Sequence, residues 1–265
     1  MNILFIGAGK MATALAAGIA SKQLFGGSSI SACDPNADAA KAFTAATGYP
    51  CRDHIDCSAV ANADVVILAV KPQNAADAAA ALPTPREDAL LFSICAGLSI
   101  ARLNGLFGFR RIVRVMPNTP LMAGEGASCY ALSDPEDMRA ESFARELLGA
   151  LGLCRKVEEQ ELDAVTALSG SGPAYFFAFI EALRDGGVAL GLDSGLATEL
   201  AVQTMAGAVA MLRRPDADPA ALRQAVTSKG GTTVAALEVM ASHGFNEMVA
   251  ELMAAAARRS RELGA

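Results

Sequence analysis

A short apolar run, Ile3 to Ile6, passes directly into Gly7-Ala8-Gly9-Lys10-Met11-Ala12 and then into the apolar-periodic segment Thr13 to Ala20. A strand, a Gly-x-Gly-x-x-Ala turn and a helix in that order narrow the fold more than any other stretch. The first Gly permits a tight turn, the second leaves room for a pyrophosphate against backbone N–H groups, and the small Ala12 allows close helix packing. The same letters without the flanking strand and helix would be a weak signal. In this setting they predict a dinucleotide-binding βαβ unit.

The alternation continues along the chain. Ile30 to Cys33, Asp64 to Val70, Ala89 to Cys95 and Ile112 to Met116 read as strands, separated by helices over Ala37 to Ala46 and Ala75 to Ala81 and a short one capped by Ser99. Gly126 to Leu132 and Leu153 to Val157 add strands around a helix from Pro135 to Ala150. This pattern predicts an α/β fold with a Rossmann-type, doubly wound parallel sheet covered on both faces. The strand ends Gly7-Ala8-Gly9, Cys33-Asp34, Ala69-Val70-Lys71-Pro72, Cys95-Ala96-Gly97 and Met116-Pro117-Asn118-Thr119-Pro120 then converge on one edge. Ligands of open α/β sheets bind at that edge.

Asp34 ends the second strand, where an acid accepts the ribose hydroxyls of NAD and disfavours the 2′-phosphate of NADP. Two unit charges ~4 Å apart near a surface interact by roughly 4 kcal/mol at an effective dielectric of ~20, and solvent reduces that further. Arg52 and Lys71 are the cations that could compensate. The cofactor is read as NADP or NAD.

After residue 160 the strand pattern stops, so the chain divides into a dinucleotide-binding domain, 1–160, and an all-α dimerisation and substrate domain, 161–265. Helices are expected over Leu162 to Leu168, Leu196 to Leu212, Pro219 to Ser228 behind the cap Asp218, Thr233 to Ala241 and Asn246 to Leu263. Thr166 to Leu192 is the central element of this half. A Ser/Gly-rich opening leads through Pro173 into a helix apolar on nearly all sides, which must be buried, with Gly186-Gly187 weakening its far end.

Hydrophobic residues make up 52% of the chain and charged ones 19%, so a sizeable apolar surface is expected to be covered by another copy. The net charge of −6 offers no basic footprint for nucleic acid or anionic lipid. Met1-Asn2 leads into a strand without a basic leader and no unbroken apolar run reaches ~18 residues, so no membrane span and a cytoplasmic location are expected. Six scattered cysteines with no Cys-x-x-Cys, and only two histidines, point to reduced structural thiols and no metal.

A second junction carries chemistry. Thr227-Ser228-Lys229-Gly230-Gly231-Thr232-Thr233 is a Gly-Gly turn running into a helix behind two hydroxyls. It reads either as an ordinary helix start or as a carboxylate site, in which exposed N–H groups, the helix dipole and a Thr hydroxyl hold a small anion. Reducing a ketone leaves an alkoxide and demands a positioned acid such as His or Lys. The central stretch has neither, and His54 and His243 sit where surface or capping roles suit them. An imine that arrives protonated yields a neutral amine on hydride addition, so orientation and a carboxylate clamp suffice.

The combination of Gly7-Ala8-Gly9-Lys10-Met11, Ala69-Val70-Lys71-Pro72, Arg114-Val115-Met116-Pro117-Asn118-Thr119-Pro120, Leu168-Ser169-Gly170-Ser171-Gly172-Pro173-Ala174-Tyr175 and Thr227 to Thr233 resembles pyrroline-5-carboxylate reductase over essentially the whole chain. The resemblance implies reduction of 1-pyrroline-5-carboxylate to L-proline by NADPH or NADH, the last step of proline synthesis. It also implies an interleaved homodimer that forms the active site, sometimes assembled into a decamer. Carried onto this chain, cofactor contacts fall on Gly7, Ala8, Gly9, Lys10, Met11, Ala12, Asp34, Ala69, Val70, Lys71, Pro72, Cys95, Ala96 and Gly97. Substrate contacts fall on Ser228, Gly230, Gly231, Thr232 and Thr233, with Thr166 a polar group near the imine. Asp34 stands where Ser or Asn is often found, and Asp56 replaces an Asn that usually faces the nucleotide. These changes bear on the choice of nucleotide and leave the reaction untouched. The rival readings are a β-hydroxyacid dehydrogenase, which shares the two-domain plan, an imine reductase of a related substrate, and a non-catalytic dinucleotide-binding regulator. A β-hydroxyacid dehydrogenase needs a Lys on the central helix, which has none, and a dinucleotide-binding regulator would show no turnover.

Overall fold

The computed structural model describes residues 1–264. Eight strands form one sheet: β1 Asn2–Ile6, β2 Ser29–Cys33, β3 Cys51–Arg52, β4 Val65–Leu68, β5 Leu90–Ser93, β6 Arg111–Met116, β7 Gly126–Leu132 and β8 Gly152–Lys156. Their spatial order is β3-β2-β1-β4-β5-β6-β7-β8. The chain therefore reverses direction across the sheet between β1 and β4, which opens a crevice at their carboxyl ends. The central strands read as unbroken apolar runs because both faces are covered: every residue of β4 and β5 is buried.

The sheet is not wholly parallel, contrary to the expectation from the alternating pattern. β7 runs antiparallel to β6, pairing Val113 with Leu132 and Met116 with Cys129. The link, residues 117–125, is shorter than the dozen or so residues of a parallel crossover, so the strand has to turn back. The edge strand β3 also escapes the sequence pattern, since two residues carry no periodicity.

Helices α1 Lys10–Ser21, α2 Ala37–Thr47, α3 Cys57–Asn62, α4 Ala75–Ala81, α5 Ile100–Phe107 and α6 Met138–Gly149 connect the strands. One face of the sheet packs Phe5, Ile67 and Phe92 against Leu15, Phe43 and Phe143; the other packs Leu4, Val66 and Leu91 against Val60, Leu103 and Phe107. Ser99 caps α5 by accepting the Arg102 N–H at 3.1 Å. All six cysteines are free thiols.

The remaining helices are α7 Leu162–Val165, α8 Gly172–Ala189, α9 Ser194–Leu212, α10 Pro219–Ala225, α11 Thr232–Ser242 and α12 Phe245–Gly264. By contacts the chain forms two compact units, one of residues 1–171 with 255–264 and one of residues 172–254. The first unit thus extends past residue 160 and regains the last turns of α12. There the buried Ser260 hydroxyl donates to Asp163 Oδ1 at 2.6 Å.

Within the second unit, α8 and α9 pack together. Gly187 does not break α8; a Cβ there would lie 3.1 Å from Ala197 Cβ, so the glycine lets α9 approach. Asp193 caps α9 and Asp218 caps α10. The expected burial of α8 is not met within one chain: Phe176 and Phe177 are 59% and 61% exposed and only Gly172 is buried. The helix α9 is long and apolar enough to cross a membrane, with 11% of that stretch buried. A search for unbroken apolar runs passes over it because Thr, Glu and Gln interrupt the sequence.

Candidate functional site

The crevice at the carboxyl ends of β1, β2 and β4 is a cleft of about 730 Å³, within the range of small-ligand sites. Gly7 and Gly9 line it beside Asp34, Ala69, Val70 and Lys71. Gly7 has φ +97°, and a Cβ there would stand 2.7 Å from the Ala69 carbonyl oxygen, so the turn closes only with glycine. Gly9 differs. It begins α1 with φ −68°, and nothing lies within 4 Å of where its Cβ would be. The fold leaves that space open beside the uncapped start of a helix, an arrangement that fits a pyrophosphate. Ala12 is buried against the sheet and Met11 packs partly into the core.

Asp34 is held in place. Its Oδ2 accepts the Ala8 N–H and its Oδ1 the Asn36 N–H, each at 2.8 Å, so the carboxylate ties the glycine turn to the end of β2. Arg52 donates to Asp56 Oδ2 at 2.6 Å and does not line the cleft, whereas Lys71 does. Asp56 caps α3 by accepting the Ser58 N–H and hydroxyl, bonds that hold its carboxyl below the usual range. It lies outside the main cleft. His54 lines the cleft, its Nδ1 2.6 Å from Asp53 Oδ1.

The remaining expected nucleotide positions are placed differently. Ala8 and Lys10 face a second, more open groove with Thr13 and Met122. Cys95 donates its thiol to the Val70 carbonyl at 2.9 Å, and burial pushes its pKa up to about 12, so it ties β5 to β4 as an unreactive thiol. Cys95, Ala96, Gly97 and Pro72 do not line the cleft. Gly97, with φ +82°, packs against Leu263 near the end of α12, where a Cβ would lie 2.9 Å from that side chain.

Thr166 lies in a π-helical turn, Thr166–Gly170, between α7 and α8, where the expected helix Leu162 to Leu168 gives way to the Ser/Gly-rich opening. The turn is closed by the Ser171 N–H donating to the Thr166 carbonyl at 2.8 Å. The Thr166 hydroxyl donates to the Leu162 carbonyl at 2.7 Å. The widened turn is gripped from the sheet: buried Asn118 donates Nδ2 to the Ser169 carbonyl at 3.1 Å while its Oδ1 accepts the Ala127 N–H at 2.8 Å. Gly170 is small because the Met116 side chain occupies the place of a Cβ. Arg114 is buried and donates to Glu159 at 3.0 Å, and the same carboxylate oxygen accepts the Ile100 N–H at 2.6 Å. Sequence reading singled out the Asn118 and Arg114 motifs without finding these roles. A buried polar residue inside an apolar strand end was the available signal.

In the second unit, Ser228 to Gly231 form a turn closed by the Gly231 N–H donating to the Ser228 carbonyl at 2.9 Å. Gly230 has φ +72°, and a Cβ on Gly231 would come 2.5 Å from Ser228 Oγ. Gly231 starts α11 without any side-chain capping bond, with Thr232 exposed and Thr233 half-buried. The backbone N–H groups and dipole of that first turn favour an anion.

Among known proteins, a family described as pyrroline-5-carboxylate reductase dimerisation matches residues 159–263, and one described as NADP oxidoreductase coenzyme F420-dependent matches residues 2–97. A pyrroline-5-carboxylate reductase of Pisum sativum is 39% identical over 260 residues, covering 98% of this chain and 94% of the relative. That of Haemophilus influenzae is 41% identical over 265 residues, with 98% and 97% covered. The crystal structure of Plasmodium falciparum pyrroline carboxylate reductase with NADP bound superimposes with a TM-score of 0.89 at 30% identity, covering 100% of this chain and 98% of that one. Glycine-turned cleft, π turn and Gly-Gly helix start therefore sit in a chain related along its whole length to one set of enzymes, and the chain belongs to the pyrroline-5-carboxylate reductase family.

Proposed function

We propose that this chain reduces 1-pyrroline-5-carboxylate to L-proline with NADPH or NADH, the last step of proline biosynthesis. The observation that carries the reading, beside the family, is the uncapped helix start at Gly231-Thr232-Thr233, which suits a small carboxylate. When bound, the nicotinamide supplies the hydride. Gly7, Gly9, Ala69, Val70 and Lys71 hold the nucleotide; Ser228, Gly230, Gly231, Thr232 and Thr233 hold the substrate carboxylate. Thr166 commits its hydroxyl proton to the Leu162 carbonyl, which leaves its oxygen to accept a hydrogen bond. That is the polarity a protonated imine nitrogen requires. Hydride addition then gives a neutral amine and no acid need act in the same step.

The exposed apolar faces of α8 and α9 fit a homodimer, or a higher homo-oligomer built from it. On this reading residues 1–160 serve the nucleotide and residues 161–265 serve dimerisation and substrate, in the cytoplasm. The test is steady-state oxidation of NADPH and NADH on adding the cyclic imine, in the parent and in Thr233→Val. The variant should raise the Michaelis constant for the imine roughly tenfold, the cost of one hydrogen bond to a charged group, and leave nucleotide affinity alone. No oxidation in the parent rejects the activity, and an unchanged Michaelis constant in the variant rejects the carboxylate site.

A further inference from the structure

Past the end of β6 the backbone stays extended, with φ −131° and ψ 166° at Asn118. Arg114, Met116 and Asn118 therefore stand two residues apart and send their side chains to one face. All three meet the segment that carries Thr166. Arg114 donates to Glu159 at 3.0 Å ahead of α7, the Met116 side chain occupies the place of a Cβ on Gly170, and Asn118 donates to the Ser169 carbonyl at 3.1 Å. The Ser260 hydroxyl adds a fourth tie, to Asp163 in α7 at 2.6 Å.

The Ser169 carbonyl needs its donor from outside the helix. In a continuing α-helix it would accept the N–H of residue 173, and Pro173 has none. The Asn118 amide is fixed in direction, because its Oδ1 accepts the Ala127 N–H at 2.8 Å and a flipped amide would set like groups together at both ends. One buried side chain thus settles where the π turn stops, and with it the place of Thr166, whose carbonyl closes the turn onto the Ser171 N–H.

We infer that Asn118 is a positioning residue for the reduction: by supplying the donor that Pro173 lacks, it holds the widened turn in the form that presents the Thr166 oxygen to the imine nitrogen. The inference rests on the role proposed for Thr166 and deepens it. Asn118 does not line the nucleotide cleft. Its effect is on the proton of the bound imine. A hydrogen bond accepted from the protonated imine favours that form. With the Thr166 oxygen out of place the proton leaves at lower pH, and the limb of kcat that falls with rising pH moves down.

The test is kcat and the Michaelis constant for the imine against pH in the parent, Asn118→Ser and Thr166→Val, beside thermal melts and nucleotide calorimetry. Serine is too short to span both partners, so Asn118→Ser should move the falling limb down by about one pH unit, no more than the worth of one hydrogen bond to a charged group. On that limb kcat is then about tenfold below the parent at equal pH, while at lower pH kcat, and nucleotide affinity throughout, stay within about twofold of the parent. Thr166→Val should move the limb the same way and at least as far. Asn118→Asp keeps the shape but sets an acceptor against the Ser169 carbonyl; it should show the same displacement, and it decides the matter should the serine variant not fold. A side chain that only stabilises the fold would lower the melting temperature and leave the limb in place. That result in a folded Asn118 variant, with the limb displaced in Thr166→Val, overturns the inference and spares the role of Thr166. A parental pH profile in Thr166→Val rejects that role and the inference with it, and a parent that oxidises neither nucleotide with the imine rejects the activity itself.

Discussion

The two glycines of the first turn have different jobs, and substitution separates them. In Gly7→Ala the new methyl meets the Ala69 carbonyl oxygen at 2.7 Å and carbon at 2.9 Å, both backbone atoms that cannot rotate aside. The φ of +97° adds strain for any L side chain. Overpacking of this kind costs about 1–3 kcal/mol and the backbone strain about 1–2 kcal/mol. The variant should therefore lose about 3 kcal/mol, roughly a 6–12 °C fall in melting temperature for a chain of this size, and should bind nucleotide poorly because Ala69 and Val70 line the cleft. In Gly9→Ala the methyl meets nothing within 4 Å and φ is already −68°. Its stability should change by less than about 1 kcal/mol, the difference between Gly and Ala at a helix cap. Nucleotide affinity should nonetheless fall at least tenfold, since the methyl fills the space a pyrophosphate needs. Thermal melts at fixed protein concentration and nucleotide calorimetry measure both quantities. A Gly9→Ala protein with parental affinity, or a Gly7→Ala protein with parental stability, would refute the division of roles.

Three further outcomes follow from other parts of the molecule. Phe177→Glu places a charge on an aromatic position 61% exposed in the single chain, and sedimentation should show a smaller species than the parent; unchanged sedimentation removes this face from the interface. Asp137 accepts Arg111 Nε at 2.7 Å and Nη2 at 2.9 Å and caps α6, and the arginine bonds hold its carboxyl below the usual value of 3.8. Its contribution is thus complete above the unfolded value and lost as pH falls through the lower folded one, so the deficit of about 1–3 kcal/mol in Asp137→Asn at pH 7 should shrink in urea melts below about pH 4. Burial pushes the thiols of Cys33 and Cys95 up to about 12, leaving roughly one thiolate in ten thousand at pH 8. A thiol reagent should label exposed Cys57 first, and native-state labelling of Cys95 at a similar rate would contradict its bond to Val70.

The nucleotide half was legible because it is built from local signals. A strand buried on both faces is an apolar run, and the Gly7 turn needs a residue that tolerates φ +97°. What stayed hidden depends on partners distant in sequence. The reversal of β7 is set by a link length, the grip of Asn118 on Ser169 joins residues 51 positions apart, and Met116 explains Gly170 only once the two are seen together. The helix α8 was read as buried from its composition, which registers how apolar a surface is and not which molecule covers it. Asp34 follows β2 directly, yet its two backbone bonds could not be read from a single acid at a strand end.

The return of residues 255–264 to the first unit orders events in the making of the protein. As the chain leaves the ribosome, Asp163 emerges 97 residues ahead of the hydroxyl it will receive from Ser260, and the Gly97 turn waits longer still for Leu263. The entropy lost in closing a loop of that length is on the order of 4 kcal/mol, a cost that helix formation in the intervening segment lowers by shortening the effective tether. The sheet can thus assemble early, while its final seam is sewn last.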